Sequence, residues 1–258
     1  MDSIFASIFL ISMISSISGC LSVFRKASFL IASVSHSALA GVAFSLLLSS
    51  YGIEIDYFIV AIAFATILSA IATLLSKFHN IDVGISISFA LSMSLAVIFL
   101  SLSKNFAAKL WNFMFGELYL LTEKDFLYLV ISAILVLLFF VFFYEKFLFY
   151  LFDPEGAEAS GLNVKALDAI LFAIITISVV SVVRSVGAIL AYAIFIAPSA
   201  IGKKFARNVM QNLLYSFLIT SLCLTSGFFI SLLLPISASA ISAFLASIIY
   251  LFAMFRKD

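Results

Sequence analysis

One histidine stands inside a long apolar stretch, in the run Ser33, Val34, Ser35, His36, Ser37, Ala38, Leu39, Ala40, Gly41. An imidazole in hydrocarbon is costly unless it faces a cavity or a partner, and it is a common nitrogen ligand for zinc and other divalent ions. His36 therefore reads either as a ligand for a passing cation or as a structural histidine bonded to a neighbouring helix. Arg184, set between two apolar runs, is expected to snorkel to the outer headgroups. Pro198, in the run Ile196-Ala-Pro-Ser-Ala200, removes a backbone donor, which reads either as a carbonyl freed for function or as a plain structural kink. Cys20 and Cys223 lie in apolar runs as small packing residues, which supports neither a disulfide framework nor a thiolate metal cluster. Cys20 follows Ile17, Ser18 and Gly19 in a lipoprotein-like box, but no Lys or Arg precedes it as a signal peptide requires.

Enzyme and energy motifs are absent. The sequence has no GxxxxGK[ST] phosphate loop, HExxH, CxxC or GxSxG, so any ATP energy must come from another subunit. An intramembrane hydrolase pairing His36 with a serine lacks a framed nucleophile. A stand-alone secondary carrier or channel should hold more intramembrane acids than this chain does. The net charge of +1 provides no field for nucleic acid.

The elements that must position these residues lie in lipid. The chain has 258 residues, 65% of them hydrophobic and 10% charged, with a mean hydropathy of +1.28. Soluble domains are about 25% charged. Apolar runs long enough to span occur at about residues 3–23, 28–49, 57–76, 84–103, 126–148, 167–183, 186–202, 209–233 and 237–255. In lipid they must satisfy their backbone internally, which makes them helices. The expected fold is an all-α polytopic membrane bundle of eight or nine transmembrane helices, a single transmembrane domain over residues 1–258. The pair flanking Arg184 is short enough to be one broken or re-entrant helix instead.

Basic residues give the orientation. With the Arg25–Lys26 turn in the cytoplasm, strict alternation also places Lys77, Lys146, Lys165, Lys203, Lys204, Arg207, Arg256 and Lys257 there, ten of the 14 cations. Lys104, Lys109, Lys124, Arg184 and the acidic hairpin from Glu54 to Asp56 fall outside. Two connections are long. The external one, from about Lys104 to Asp125, carries Trp111, Phe113, Phe115 and Tyr119, suited to the bilayer interface. The cytoplasmic one reads DPEGAEASGLNVK, where Asp153 and Pro154 begin a turn and Glu155 to Ser160 can form a short helix ending before Gly161. Taken alone it is equally an ordinary solvated loop.

Four segments in order resemble the membrane permeases of zinc and manganese ABC importers. GCLSVFRKASFLIASVSHSALAGVAF (Gly19–Phe44) is similar to the family's early signature, a basic pair followed by G-D-x-x-[SA]-H-[AS] and a closing Gly. FMFGELYLLTEKD (Phe113–Asp125) resembles its LFGD…TPED loop. FDPEGAEASGLNVKALD (Phe152–Asp168) resembles its coupling segment, and VGAILAYAIFIAPSAIGKKFAR (Val186–Arg207) its VG…IPAATAR…AR run. The likeness covers nearly the whole chain. One departure matters: the family's Asp, four residues before the histidine, is Ala32 here, and its Gly is Ile31.

The resemblance implies a type II ABC-importer-like permease in the cytoplasmic (inner) membrane. It implies a homodimer with a pathway at its interface, separate ATPase subunits below and an extracytoplasmic metal-binding protein above. The cargo would be zinc first and manganese next, since Ala40 replaces the Pro typical of manganese members. No resident cofactor is implied. His36 and Glu117, which occupies the family's FGD acid, would meet the metal. Glu155, Glu158, Ala159 and Gly161 would contact the ATPase. Iron-chelate or cobalamin-like permeation is the alternative within the same class.

Overall fold

The computed structural model describes residues 2–75, 81–103, 116 and 121–255. Among them the secondary structure is ten α-helices: α1 Asp2–Phe24, α2 Phe29–Ser50, α3 Tyr57–Leu75, α4 Ile81–Leu102, α5 Glu123–Phe152, α6 Pro154–Ala159, α7 Val164–Val186, α8 Ala188–Phe205, α9 Val209–Leu233 and α10 Ala238–Phe255. All but α6 are long and apolar enough to cross a bilayer. The expected all-α bundle is present at the upper helix count.

The doubtful pair around Arg184 resolves into two helices, α7 and α8. They are divided at Gly187, whose φ of +87° and ψ of +158° lie in a region open essentially to glycine. α5 is longer than its apolar run suggests. Its start is moved out to Glu123 by a capping box, in which Thr122 Oγ1 accepts from the Asp125 amide and the Asp125 carboxylate accepts from the Thr122 amide.

The helices form two groups. α2, α3 and α4 pack on one another, as do α8, α9 and α10; α7 runs between the groups and touches both, while α1 packs on α8 and α9 and, together with α5, on α7. The centre is made of β-branched side chains, among them Ile11, Ile14, Ile174, Ile175, Val179, Val182 and Val183, all essentially inaccessible. Serines cross this centre in pairs: Ser18 bonds Ser178, and Ser132 bonds Ser181, tying α1 and α5 to α7. Such interhelical bonds contribute about 0.6 kcal/mol each in lipid. Their larger use is to fix rotational register among helices whose surfaces are otherwise uniformly apolar. Gly41, the glycine closing the His36 run, lets α2 touch α3. A Cβ there would lie 2.7 Å from the Ala61 Cα and the Val60 carbonyl oxygen.

Exposed ends make the orientation measurable. Ser50 ends α2 and Asn163 caps α7 at the opposite end of the bundle, and both are exposed. Cysteine introduced at Ser50 is expected to react with an impermeant thiol reagent in intact cells, and cysteine at Asn163 to stay unlabelled until the membrane is opened. The reverse pattern would invert the orientation and remove α6 from the cytoplasm. The native Cys20 and Cys223 are buried and give little background.

Candidate functional site

His36 is the eighth residue of α2, so it lies about 10 Å along the helix axis from Phe29. Most of α2 is buried. Phe29, Ala32 and His36 are accessible and recur at spacings of three and four, which places them on one stripe. The imidazole meets the Phe89 ring of α4 edge-on, with centroids 4.9 Å apart and planes at 88°. Its Nδ1 is buried and has no hydrogen-bond partner. A structural histidine usually bonds that nitrogen to a neighbouring carbonyl or hydroxyl, and among the described residues none reaches it within one chain. Ser35 and Ser37 instead bond carbonyls of their own helix, Ile31 and Ser33, and Ser45 bonds the Ile55 carbonyl.

Among the described residues no three His, Cys, Asp or Glu side chains converge to hold an ion. Ala32, in the position of the family acid, shares the stripe with His36 and offers no ligand. One copy of the chain therefore presents a single half-open imidazole. Glu117 lies outside the described residues, as do Trp111, Phe113, Phe115 and Tyr119. The adjoining Gly116 is described: its φ is +51°, its carbonyl accepts from Ser239 Oγ at 3.1 Å, and it rests on the Val186–Gly187 backbone.

The segment between α5 and α7 does form a helix, α6, one residue earlier than the sequence suggests. Asp153 caps it by accepting from the Gly156 amide at 2.9 Å, and Pro154 occupies the first turn, where a missing N–H costs nothing. It closes in a Schellman motif. Gly161, at φ +88°, donates to the Glu158 carbonyl and Leu162 donates to that of Ala157. Ala157 is fully buried and seats α6 on the bundle. Glu155, Glu158, Ala159 and Gly161 are all exposed, so the four residues singled out form one open surface.

Arg184 does not snorkel, and here the structure corrects the sequence reading. Its side chain is only 6% exposed and pairs through Nε with Asp125 and through Nη1 with Asp56 at 3.6 Å. Tyr57, Tyr128 and Phe58 surround the guanidinium, with ring centroids 4.2, 5.0 and 5.2 Å away. The Tyr128 hydroxyl donates to Asp56. Both acids sit at helix starts and Arg184 in a last turn, the arrangement that helix dipoles favour.

Pro198 interrupts the bonding of α8 once, and the structure repairs the gap locally. The carbonyl it orphans is that of Ile194, and Thr220 of α9 donates to it at 3.4 Å, so it is not left free for a passing ion.

Comparison with known proteins places this architecture. Residues 1–257 match the family model described as ABC 3 transport family. The high-affinity zinc uptake system membrane protein ZnuB of Haemophilus influenzae is 26% identical over 251 residues, covering 96% of this chain and 94% of that protein. The manganese import system permease protein ScaB of Streptococcus gordonii is 29% identical over 239 residues, covering 92% and 84%. Among solved structures, PsaBC from Streptococcus pneumoniae in complex with Fab superposes with a TM-score of 0.85 at 24% identity, over 98% of this chain and 90% of that one. From the family match over residues 1–257 and the nine bilayer-length helices among its described residues, the chain belongs to the ABC 3 transport family and is a multi-pass permease of the cytoplasmic (inner) membrane.

Proposed function

We propose that this chain is the membrane-spanning permease of an importer that carries a divalent transition-metal ion into the cytoplasm, zinc first and manganese next. The observation that carries the reading is the family match along residues 1–257. Relatives named for zinc and for manganese stand at similar identity, which supports the metal class and leaves the choice to Ala40 and to measurement. The unpaired Nδ1 of His36 supports it further, because a neutral imidazole with a free lone pair is a metal ligand in waiting.

The working unit is two copies of this chain around a shared pathway. Each copy brings one His36, and the single ligand seen in one copy becomes two. A weak, transient site suits passage, because a pathway must release what it binds. Separate ATPase subunits dock on the exposed face of α6, and an extracytoplasmic metal-binding protein delivers the ion at the other end. Closure of the ATPases pushes α6, the pathway opens outward to accept the ion, and it closes again behind it. This chain translocates and hydrolyses nothing.

The test is a charge reversal on α6. In Glu155→Arg with Glu158→Arg, complementary pairs become like-charged ones, which costs several kcal/mol at an interface. Co-purification of the ATPase is expected to fall at least about tenfold, and metal uptake with it, while the helices stay folded because neither side chain is buried. Unaltered co-purification and unaltered uptake would sink the docking assignment.

A further inference from the structure

The two roots of the docking segment meet at one guanidinium. Tyr150, near the end of α5, and Asp168, early in α7, both converge on Arg25 in the turn between α1 and α2. Arg25 grips Asp168 with two bonds, Nε to Oδ1 at 2.9 Å and Nη2 to Oδ2 at 3.1 Å. The Tyr150 hydroxyl donates to Asp168 Oδ1, and Arg25 lies over the Tyr150 ring, 5.3 Å from its centroid. Burial opposes the charge on Arg25, but Asp168 and Tyr150 outweigh it and raise the guanidinium's pKa, so Arg25 stays charged at every physiological pH. Bidentate pairing fixes direction as well as distance.

Arg25 is also firmly joined to the helix that bears the imidazole. Lys26 takes a left-handed φ of +58°, and the Ala27 amide returns to the Ser22 carbonyl at 3.0 Å, closing a tight turn. The Leu30 amide donates to the Ala27 carbonyl at 3.0 Å, so helical bonding resumes at once. His36 follows two turns later.

We propose that the Arg25–Asp168–Tyr150 triad is the joint that passes movement of the docking segment to α2, with Arg25 and Asp168 as positioning residues for transport. This rests on the transport reading above. The same elements have other anchors: α6 is held by its own caps and by Ala157, α7 is tied to α1 and α5 by the serine pairs, and its far end is clamped by Arg184. Arg25 and Asp168 keep 27% and 21% of their side-chain surface exposed, so water can reach either partner when the other is neutralised. The triad is the polar contact that links both roots of the docking segment to the turn leading into α2.

The experiment uses the permease in complex with its ATPase, reconstituted in liposomes, reading zinc uptake and ATP hydrolysis together. In Arg25→Gln and in Asp168→Asn, ATPase co-purification and hydrolysis are expected to stay within about twofold of the parent and the thermal midpoint within about 5 °C. Ions carried per ATP are expected to fall at least about tenfold. The swap of Arg25→Asp with Asp168→Arg should recover most of that ratio. Unchanged uptake in the single variants would overturn the joint. So would uptake, hydrolysis and midpoint falling in proportion, which is the behaviour of a structural staple. If the parent complex forms but carries no metal ion, the transport reading fails first and the joint falls with it.

Discussion

His36→Ala is expected to remove metal uptake while the protein stays in the membrane at its normal level. Its imidazole touches Phe89 through one edge and leaves Nδ1 buried without a partner. A buried polar atom without a hydrogen bond costs about 1–3 kcal/mol. Deleting it therefore breaks no bond the fold relies on and relieves that cost, which offsets the lost ring contact. Removing one of few ligands from a pathway should lower uptake at least about tenfold, the equivalent of about 1.4 kcal/mol of ion binding. The measurement is metal-limited growth and zinc uptake in a strain dependent on this importer, beside membrane abundance by immunoblot. Normal uptake would make His36 structural. The neighbouring serines Ser33, Ser35, Ser37 and Ser45 would then be the next polar candidates, since a hydroxyl that donates to a backbone carbonyl, as in Ser35, Ser37 and Ser45, keeps its oxygen lone pairs.

Much of the fold was legible because lipid leaves the chain so few options. Bilayer thickness and backbone satisfaction turn each apolar run into a helix of set length, so the runs at residues 28–49 and 209–233 match α2 and α9 almost residue for residue. Boundaries moved where polar caps, rather than apolarity, end a helix, as at Thr122 and Asp153. Which side of a helix faces its neighbours was not legible. These helices are apolar on every face, and burial inside a bundle is then decided by shape, as where Gly41 meets Ala61. His36 stood out because a titratable ring in hydrocarbon has few bland explanations. Its free nitrogen and its stripe with Ala32 required coordinates.

The pairing of Arg184 is hidden for a different reason: its partners are 59 and 128 residues away in the chain, at Asp125 and Asp56. The signal was nonetheless present. Alternating the spans places Asp56, Asp125 and Arg184 at the same end of the bundle, two acids opening helices and a base closing one. Three such charges on one membrane face are better paired than separately hydrated. The same bookkeeping at the other end would have brought Arg25 and Asp168 together.

The cluster gives the largest expected effect on stability. Arg184→Met strips the countercharge from Asp125, whose side chain is 9% exposed and has no route to water without uncapping α5. Breaking a buried pair from one side costs about 3–5 kcal/mol. In a protein of this size that is a fall of the thermal midpoint on the order of 10 °C, with membrane abundance falling as well. Removing the other charge should reverse much of it: Arg184→Met with Asp125→Asn leaves a neutral amide that still accepts from the Thr122 amide and preserves the cap. Fluorescence-detected melting in detergent, with Arg184→Lys as a third variant, separates the terms. Lysine keeps the charge but loses the planar fork and its fit among Tyr57, Phe58 and Tyr128, so its midpoint should fall between the parent and Arg184→Met. A midpoint for Arg184→Met equal to the parent's would mean the guanidinium does reach the headgroups, and the clamp on α7 would have to be abandoned.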